Sequence, residues 1–435
     1  MVVSLIPLGG IGEVGSNSLA VDIDGKIVIL DFGFHLERFV DVVKDRDVKK
    51  NFLRRLLANR AFPNIRPLSK RKNDIVGIFC SHAHLDHVGA IPYLWKRLKS
   101  PPIFASRFTA NLVRSLCEDQ GFSPSIFIKG VNEVFSLPSL PGVRFEFVNV
   151  SHSTPETVAI VIHTSEGLIL YANDFKNDQE SPFELPTNIP RFKELGLSKL
   201  PKLLVLDSLY APRKEFSKSE SFARDLVLSL KDSLSDKRLI VVSTFSSHLF
   251  RLFSLVDLAR SLNRELVFIG RSLSRYLSAG VHVVDLSKFG RVIKYRRDAK
   301  RFLRSFDPKK YFLIVTGHQG EPEAVLSRMA DGDFMFSSDD AVVFSCNVIP
   351  SPLNLRNRIV LESKLSSFGV TVFKDVHVSG HAFGLDHDFF LDVFKPDFLV
   401  PYHGDPSMSE ALASLAKNKK IKVLRPRIGQ RLKIF

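Results

Sequence analysis

Short apolar runs, mostly β-branched or aromatic and separated by Gly, Pro and Asn, fill the first ~207 residues and predict buried strands. They fall at Leu19–Val21, Ile27–Leu30, Ile75–Cys80, Phe145–Val150, Val158–Ile162, Leu168–Tyr171 and Leu203–Leu206. From about Leu209 the rhythm changes. Leu239–Val242, Leu266–Ile269, Phe312–Thr316 and Ala341–Ser345 are apolar strands spaced by longer amphipathic stretches. That alternation predicts a parallel sheet with crossover helices. Beyond Val370 the pattern reads strand, helix, strand again, at Thr371–Val378, Asp388–Phe394 and Phe398–Pro401. The simplest organisation is an α/β domain over 209–360, inserted into a discontinuous α/β domain formed by 1–208 and 361–435.

The 435 residues suffice for roughly two or three domains with well-buried cores. The N-terminus lacks the basic and apolar regions of a signal peptide. No apolar run approaches the roughly 18–20 residues needed to span a bilayer, so no membrane is expected. The three cysteines, Cys80, Cys117 and Cys346, have no CxxC spacing. They exclude a disulfide framework or a thiolate zinc site and suit a reducing cytoplasm. Phenylalanine is frequent, 37 residues against one tryptophan, and reads as core filling rather than as a base-stacking surface.

Charge changes the picture more. The formal net charge is +15, gathered in Lys49–Arg55, Lys70–Lys72, Arg291–Arg304 and Lys417–Lys433. A single such cluster reads as a solvated face; their sum favours a polyanionic partner such as nucleic acid.

The densest chemistry lies at 81–87, Ser-His-Ala-His-Leu-Asp-His. Imidazoles and a carboxylate on the loop leaving a strand, before a helix expected over Ile91–Leu98, suit a borderline-soft divalent ion such as zinc. A tight turn can direct His82 and His84 to one ion and Asp86 and His87 to a second. His152, Asp174 and His403 each stand just beyond another predicted strand. Alone, each reads as an ordinary loop residue; together they repeat the placement open α/β sheets use for sites.

This set resembles the metallo-β-lactamase superfamily of two-metal hydrolases. The resemblance implies that His82, His84 and His152 hold one Zn2+, that Asp86, His87 and His403 hold the other, and that Asp174 bridges. Mn2+ or Mg2+ would be alternatives. Asp207-Ser208, Val-Ser-Gly-His at 378–381 and Tyr-His-Gly around His403 resemble motifs of the nucleic-acid-directed β-CASP branch. Pro7–Asn17, Thr-Phe-Ser-Ser-His at 244–248 and Thr-Gly-His-Gln-Gly-Glu-Pro at 316–322 narrow the likeness to the ribonuclease J family. It covers essentially the whole chain. The end soon after His403 and the run Ile349–Arg358 resemble archaeal members, so the oligomeric state of bacterial ones is not carried over and a homodimer stays open.

The fold implied is the metallo-β-lactamase αββα sandwich with an inserted α/β β-CASP domain. The activity implied is zinc-dependent hydrolysis of single-stranded RNA, from the 5′ end, in RNA decay and processing. Water held by the metal pair attacks phosphorus, and Asp86 and Asp174 fix that pair. Asp207 would orient a ligand histidine or the water, and His381 would protonate the leaving 3′ oxygen or stabilise its charge. Around the 5′ phosphate the resemblance points to His377, Val378, Ser379, Gly380 and His381, with backbone N–H groups as an anion nest. Ser247 and His248, leading a helix, join them, although Ser246 or Ser247 serves equally as a plain N-cap. His318 and Glu321 read as structural more than RNA-binding. Asn173 stands where the family has glycine, and asparagine tolerates positive φ. The alternative is a β-CASP endoribonuclease resembling cleavage and polyadenylation factors; a DNA nuclease of the superfamily is a further one.

Overall fold

The β-branched and aromatic runs of the first ~207 residues, joined by three strands from Phe398 onward, fold into two seven-stranded sheets whose inner faces share one core. In the computed structural model, which describes residues 1–43, 51–349 and 351–435, the first sheet runs Leu432–Lys433, Val3–Pro7, Leu19–Ile23, Lys26–Leu30, Ile75–Cys80, Ile103–Ala105, Ile126–Ile128. The second runs Lys422–Val423, Phe398–Tyr402, Lys202–Asp207, Leu168–Ala172, Val158–His163, Arg144–Asn149, Val134–Ser136. Leu5, Val21, Phe79, Phe145, Ile160 and Val205 belong to the cluster between them. Phe79 stacks on Phe145 at 4.5 Å and on Phe104 at 4.9 Å. Each such pair adds about 0.5–1.5 kcal/mol beyond area burial, so the abundant phenylalanine does fill the core. On the second sheet's other face, Phe192, Phe390, Leu391 and Leu412 cover Leu170, Leu204 and Leu399. This is the αββα sandwich.

Strand direction sets where the chemistry emerges. Leu168–Ala172, Lys202–Asp207 and Phe398–Tyr402 are parallel neighbours, with Ala172 opposite Leu206 and Asp207 opposite Tyr402. Asp174, Asp207 and His403 therefore leave one edge side by side. Two antiparallel steps return Arg144–Asn149 to the same direction, which brings His152 to that edge. In the first sheet Lys26–Leu30 and Ile75–Cys80 are parallel, with Leu30 opposite Phe79, so Asp31 and His82 leave together.

The chain forms two units by contact: Met1–Gln179 with Glu184–Ser217 and Gly380–Phe435, and Glu180–Phe183 with Lys218–Ser379. By contact the chain returns to the first unit at 379/380. Strand Thr371–Phe373 pairs in parallel with Ala341–Phe344, which keeps it on the second unit's sheet. That sheet is wholly parallel: Gly290–Ile293, Glu265–Ile269, Tyr311–Val315, Ile240–Ser243, Ala341–Phe344, Thr371–Phe373. It is the α/β alternation expected of the inserted domain.

Three further expectations are corrected. The strand predicted over Thr371–Val378 stops at Phe373. The helix predicted over Ile91–Leu98 is α-helical to Leu94 and 3-10 from Trp95. Asn173 is absent from the residues with positive φ, so no tolerance of that geometry is needed there. Lys49 and Lys50 of one basic cluster, and Pro350 of the archaeal-like run, lie outside the described residues. Among the described residues no helix is long and apolar enough to cross a membrane, and all three cysteines are buried and free.

Candidate metal centre

The strand Ile75–Cys80 delivers His82 and His84 from its end, and a single helical turn, Leu85–Val88, presents Asp86 and His87. These last two sit on a turn of helix rather than on an open loop. The turn packs so closely on its neighbour that a Cβ at Gly33 would lie 1.6 Å from the Asp86 carbonyl oxygen. Only glycine fits there.

Two donor sets converge. His82, His84, His152 and Asp174 form the first; Asp86, His87 and His403 form the second. In the first, His82 Nε2 lies 3.1 Å and His152 Nε2 3.2 Å from His84 Nδ1. Asp174 Oδ2 lies 3.5 Å from both His82 Nε2 and His152 Nε2. Bonds of about 2.0–2.2 Å at tetrahedral angles give edges of roughly 3.3–3.6 Å, close to these separations. The other Asp174 oxygen, Oδ1, lies 3.2 Å from His87 Nε2 and 3.8 Å from His403 Nε2. One carboxylate thus faces both sets, as a bridge would.

The imidazole tautomers follow from the partners on the far side of each ring. His152 Nδ1 is 2.7 Å from the Gly380 carbonyl oxygen, and His87 Nδ1 is 2.7 Å from Asp31 Oδ2. Carbonyl and carboxylate oxygens only accept, so both Nδ1 atoms carry the proton and both Nε2 lone pairs face the site. Ser81 donates its hydroxyl to Asp31 Oδ2 and so accepts from His82 Nδ1 at 3.0 Å. Two Nε2 lone pairs therefore point at His84 Nδ1, and one proton there cannot serve both. Asp174 Oδ1, also buried, makes no hydrogen bond. In the second set, Asp86 Oδ2, His87 Nε2 and His403 Nδ1 gather within 2.8–3.2 Å of one Asn17 amide nitrogen. That nitrogen has two N–H groups for three acceptors, so in both sets acceptors outnumber the protons between them, the donor chemistry a divalent cation satisfies, and the residues fit a metal pair.

Electrostatics agree for the first set; in the second, burial would lower His87, but Asp174, Asp86 and Asp31 hold it well above the ordinary histidine range in the metal-free protein. Burial first, then neighbouring histidines, holds His82 and His152 well below the ordinary histidine range and His84 at about 4. They are neutral, as ligands must be. The surrounding histidines overcome burial and keep Asp174 well below the usual carboxylate range.

Beside the sets, His381 Nδ1 lies 2.7 Å from Asp207 Oδ2, and its Nε2 lies 3.8 Å from Asp174 Oδ2. Burial would lower this histidine, but Asp207 and Asp174 push it up to about 9. Asp207 Oδ1 accepts from the Leu209 amide. Asp207 therefore orients His381 rather than one of the expected ligand histidines. Asp174, His381 and His403 also form a third convergent set.

Within the second unit, Ser247 and His248 are buried. The cap of helix Leu249–Ser261 is His248, without a side-chain cap bond, so neither Ser246 nor Ser247 is the N-cap. Fully buried Arg251 forks onto Glu220 at 2.7 and 2.9 Å and reaches His377 Nδ1 at 3.2 Å. His248 Nε2 is 3.4 Å from Glu220 Oε2. Val378 is buried with Arg251's neighbour Val376, and Ser379 ends the unit. Gly380 serves His152 through its carbonyl oxygen, and a Cβ there would meet Ser153 at 2.9 Å. His318 and Glu321 sit in a loop bonded inside the second unit: Arg358 holds the His318 carbonyl, and Glu321 takes the Gln319 amide.

Sequence reading missed Asp31, Asn17 and Tyr171. Tyr171 donates to Asp31 Oδ2 and receives Asn173 Nδ2, each at 3.0 Å. Asp31 carried one usable signal, a carboxylate just past a predicted strand, like Asp174.

Family models match three stretches: the metallo-beta-lactamase superfamily over 11–199, the beta-CASP domain of ribonuclease J over 236–361, and a Zn-dependent metallo-hydrolase RNA specificity domain over 371–426. The chain is 34% identical to ribonuclease J of Pyrococcus abyssi, covering 96% of this chain and 93% of that one. It is also 34% identical to that of Methanocaldococcus jannaschii, covering 96% and 95%. Against ribonuclease J of Mycobacterium tuberculosis the identity is 32%, over 94% of this chain and 70% of the other. A solved structure from Enterococcus faecalis V583 shares the fold over the full length of both chains, with TM-score 0.69 and 16% identity. The chain belongs to the ribonuclease J family, metal-dependent RNA hydrolases built from a metallo-β-lactamase and a β-CASP domain.

Proposed function

We propose that this enzyme is a two-zinc ribonuclease that removes nucleotides from the 5′ end of single-stranded RNA in the cytoplasm. The observation that carries the reading is Asp174, one carboxylate turned with each oxygen toward a different donor set. In this reading His82, His84, His152 and Asp174 hold one ion; Asp86, His87, His403 and Asp174 hold the other. Bound divalent ions supply Lewis-acid polarisation of a phosphoryl oxygen and a water acidic enough to attack near neutral pH.

The chain's own residues do the rest. Asp31 and the Gly380 carbonyl oxygen fix His87 and His152 with their Nε2 atoms inward. His381, raised by Asp207 and Asp174 in the metal-free protein, keeps Nδ1–H on Asp207 and has Nε2–H to give to the leaving 3′ oxygen. Return of that proton from water resets the histidine. The excess of positive charge, +15, favours backbone binding that weakens with salt. A 5′-monophosphate preference is part of the proposal, with the start of helix Leu249–Ser261 as an electropositive element of the second unit.

A time course on 5′- and 3′-labelled RNA, with single-stranded DNA of the same sequence alongside, tests the reading. Early mononucleotide from the 5′ label alone is expected. Internal fragments without mononucleotide would instead favour the endoribonuclease alternative.

A further inference from the structure

The second unit has its own recess at the carboxyl edge of its parallel sheet. Strand order places Glu265–Ile269 between Gly290–Ile293 and Tyr311–Val315, so the chain steps one way from Glu265–Ile269 and then turns back past it. Open parallel sheets bind ligands outside the carboxyl ends of strands at such reversals. A cavity of about 420 Å3 lies there, walled by the segments that follow these strands.

Its walls are chemically specific. Gly270, at φ 145, starts helix Arg271–Ala279 with no side-chain cap. A Cβ at Gly270 would stand 2.4 Å from the Thr316 side chain, so glycine lets the two loops meet where the helix begins. Four cations line it, Arg271, Lys294, Arg296 and Arg328, against Glu321 and Glu323. Those acids are engaged: Glu323 pairs with Arg296 at 2.8 Å, and Glu321 takes the Gln319 amide at 3.0 Å. Arg328 has 11% of its side chain exposed; its Nε makes no hydrogen bond and lies 3.7 Å from Asp333 Oδ2. Burial and then Arg296 depress its pKa, against Asp333 and Glu323, which raise it. Tyr295 is 62% exposed, with Lys294 Nζ 5.3 Å from its ring centre.

We propose that this cavity is a second nucleotide site, which takes a phosphate on Arg271, Lys294, Arg328 and the amides after Gly270, with a base on Tyr295. Stacking on an exposed aromatic beside a cationic wall is how single-stranded nucleic acid is held without sequence preference. The nucleoside half rests on the RNA-hydrolase reading; the phosphate half rests on the cavity. The nucleotide comes from one of two sources, a free mononucleotide or a unit of an RNA chain.

The test uses the full chain carrying Tyr295→Trp, titrated by fluorescence in chelator with inorganic phosphate, adenosine, adenosine 5′-monophosphate and a short oligoadenylate. Saturable quenching by the monophosphate, at least about tenfold tighter than adenosine, supports the site and a free-nucleotide source. Quenching by the oligoadenylate alone supports it with RNA as the source. Adding Arg271→Ala with Lys294→Ala, or separately Arg328→Gln, should weaken either response about tenfold. No response, equal response to adenosine and its monophosphate, response to inorganic phosphate alone, or undiminished response in both cation variants overturns the proposal. RNA cleavage by the same proteins with metal restored separates the two readings. Binding kept without cleavage removes the hydrolase reading alone, and cleavage kept without binding removes this site alone.

Discussion

His381 and Asp207 sit 2.7 Å apart, Nδ1 to Oδ2, although 174 residues separate them in the chain. The carboxylate gives the imidazole both an orientation and a charge. With Asp174 it outweighs burial and holds His381 at about 9. A histidine raised in this way stabilises the fold most below its unfolded value of about 6.5, and that contribution is lost as pH rises through about 9. In metal-depleted protein, nitrogen-detected NMR titration should find His381 charged at pH 7, and Asp207→Asn should move its midpoint down. An unmoved midpoint would show that the pair does not control the proton.

His381→Ala should leave zinc content intact while turnover falls about 10²–10⁴-fold, the usual worth of a positioned acid. Elemental analysis beside the kinetics decides. Loss of one ion per chain would make His381 a ligand, in line with the third convergent set of Asp174, His381 and His403.

Asp31 belongs to neither donor set, yet it fixes His87 and accepts from Ser81 and Tyr171. Asp31→Ala should weaken metal binding about 10–100-fold. Asp174→Ala should abolish retention of both ions. Competition against a chromogenic chelator measures each, and equal affinities in wild type and Asp31→Ala would contradict the orienting role.

Arg251 and Glu220 form a fully buried pair in the second unit. Glu220→Ala strands the guanidinium and should cost about 3–5 kcal/mol, read as a lower midpoint in urea. Replacing both residues with apolar ones of similar volume should recover much of that loss.

Glu146 lies between His163 at 2.9 Å and Arg191 at 2.7 Å. Burial would raise it, but these partners pull it down to about 2. A depressed carboxylate stabilises above its unfolded value of about 4.3, and the effect fades as pH falls through the folded one. Glu146→Gln should therefore lower stability by about 2–3 kcal/mol at pH 7. That difference should shrink between about pH 4.3 and 2, as followed by chemical denaturation at several pH values.

The seven donors were legible because each obeys a local rule: a histidine or aspartate just past an apolar β run. Strand ends are written in nearest-neighbour pattern, so His82, Asp174 and His403 could be placed before any fold was known. The alternation after Leu209 carried the parallel sheet in the same way. The end of the second unit was not legible, because Thr371–Phe373 looks like any short strand and its partner, Ala341–Phe344, is set by packing.

By itself, then, the sequence determined which side chains bear the chemistry and that strand ends carry them. Tertiary structure alone decided which nitrogen of each imidazole faces inward, which oxygen of Asp174 faces which set, and that Asp207 serves His381. Those choices rest on Asp31, Gly380 and Asp207, partners 56, 228 and 174 residues from the rings they orient. Hydrogen bonds act over about 3 Å, and no local pattern in the chain records contacts that only the meeting of distant strand ends creates.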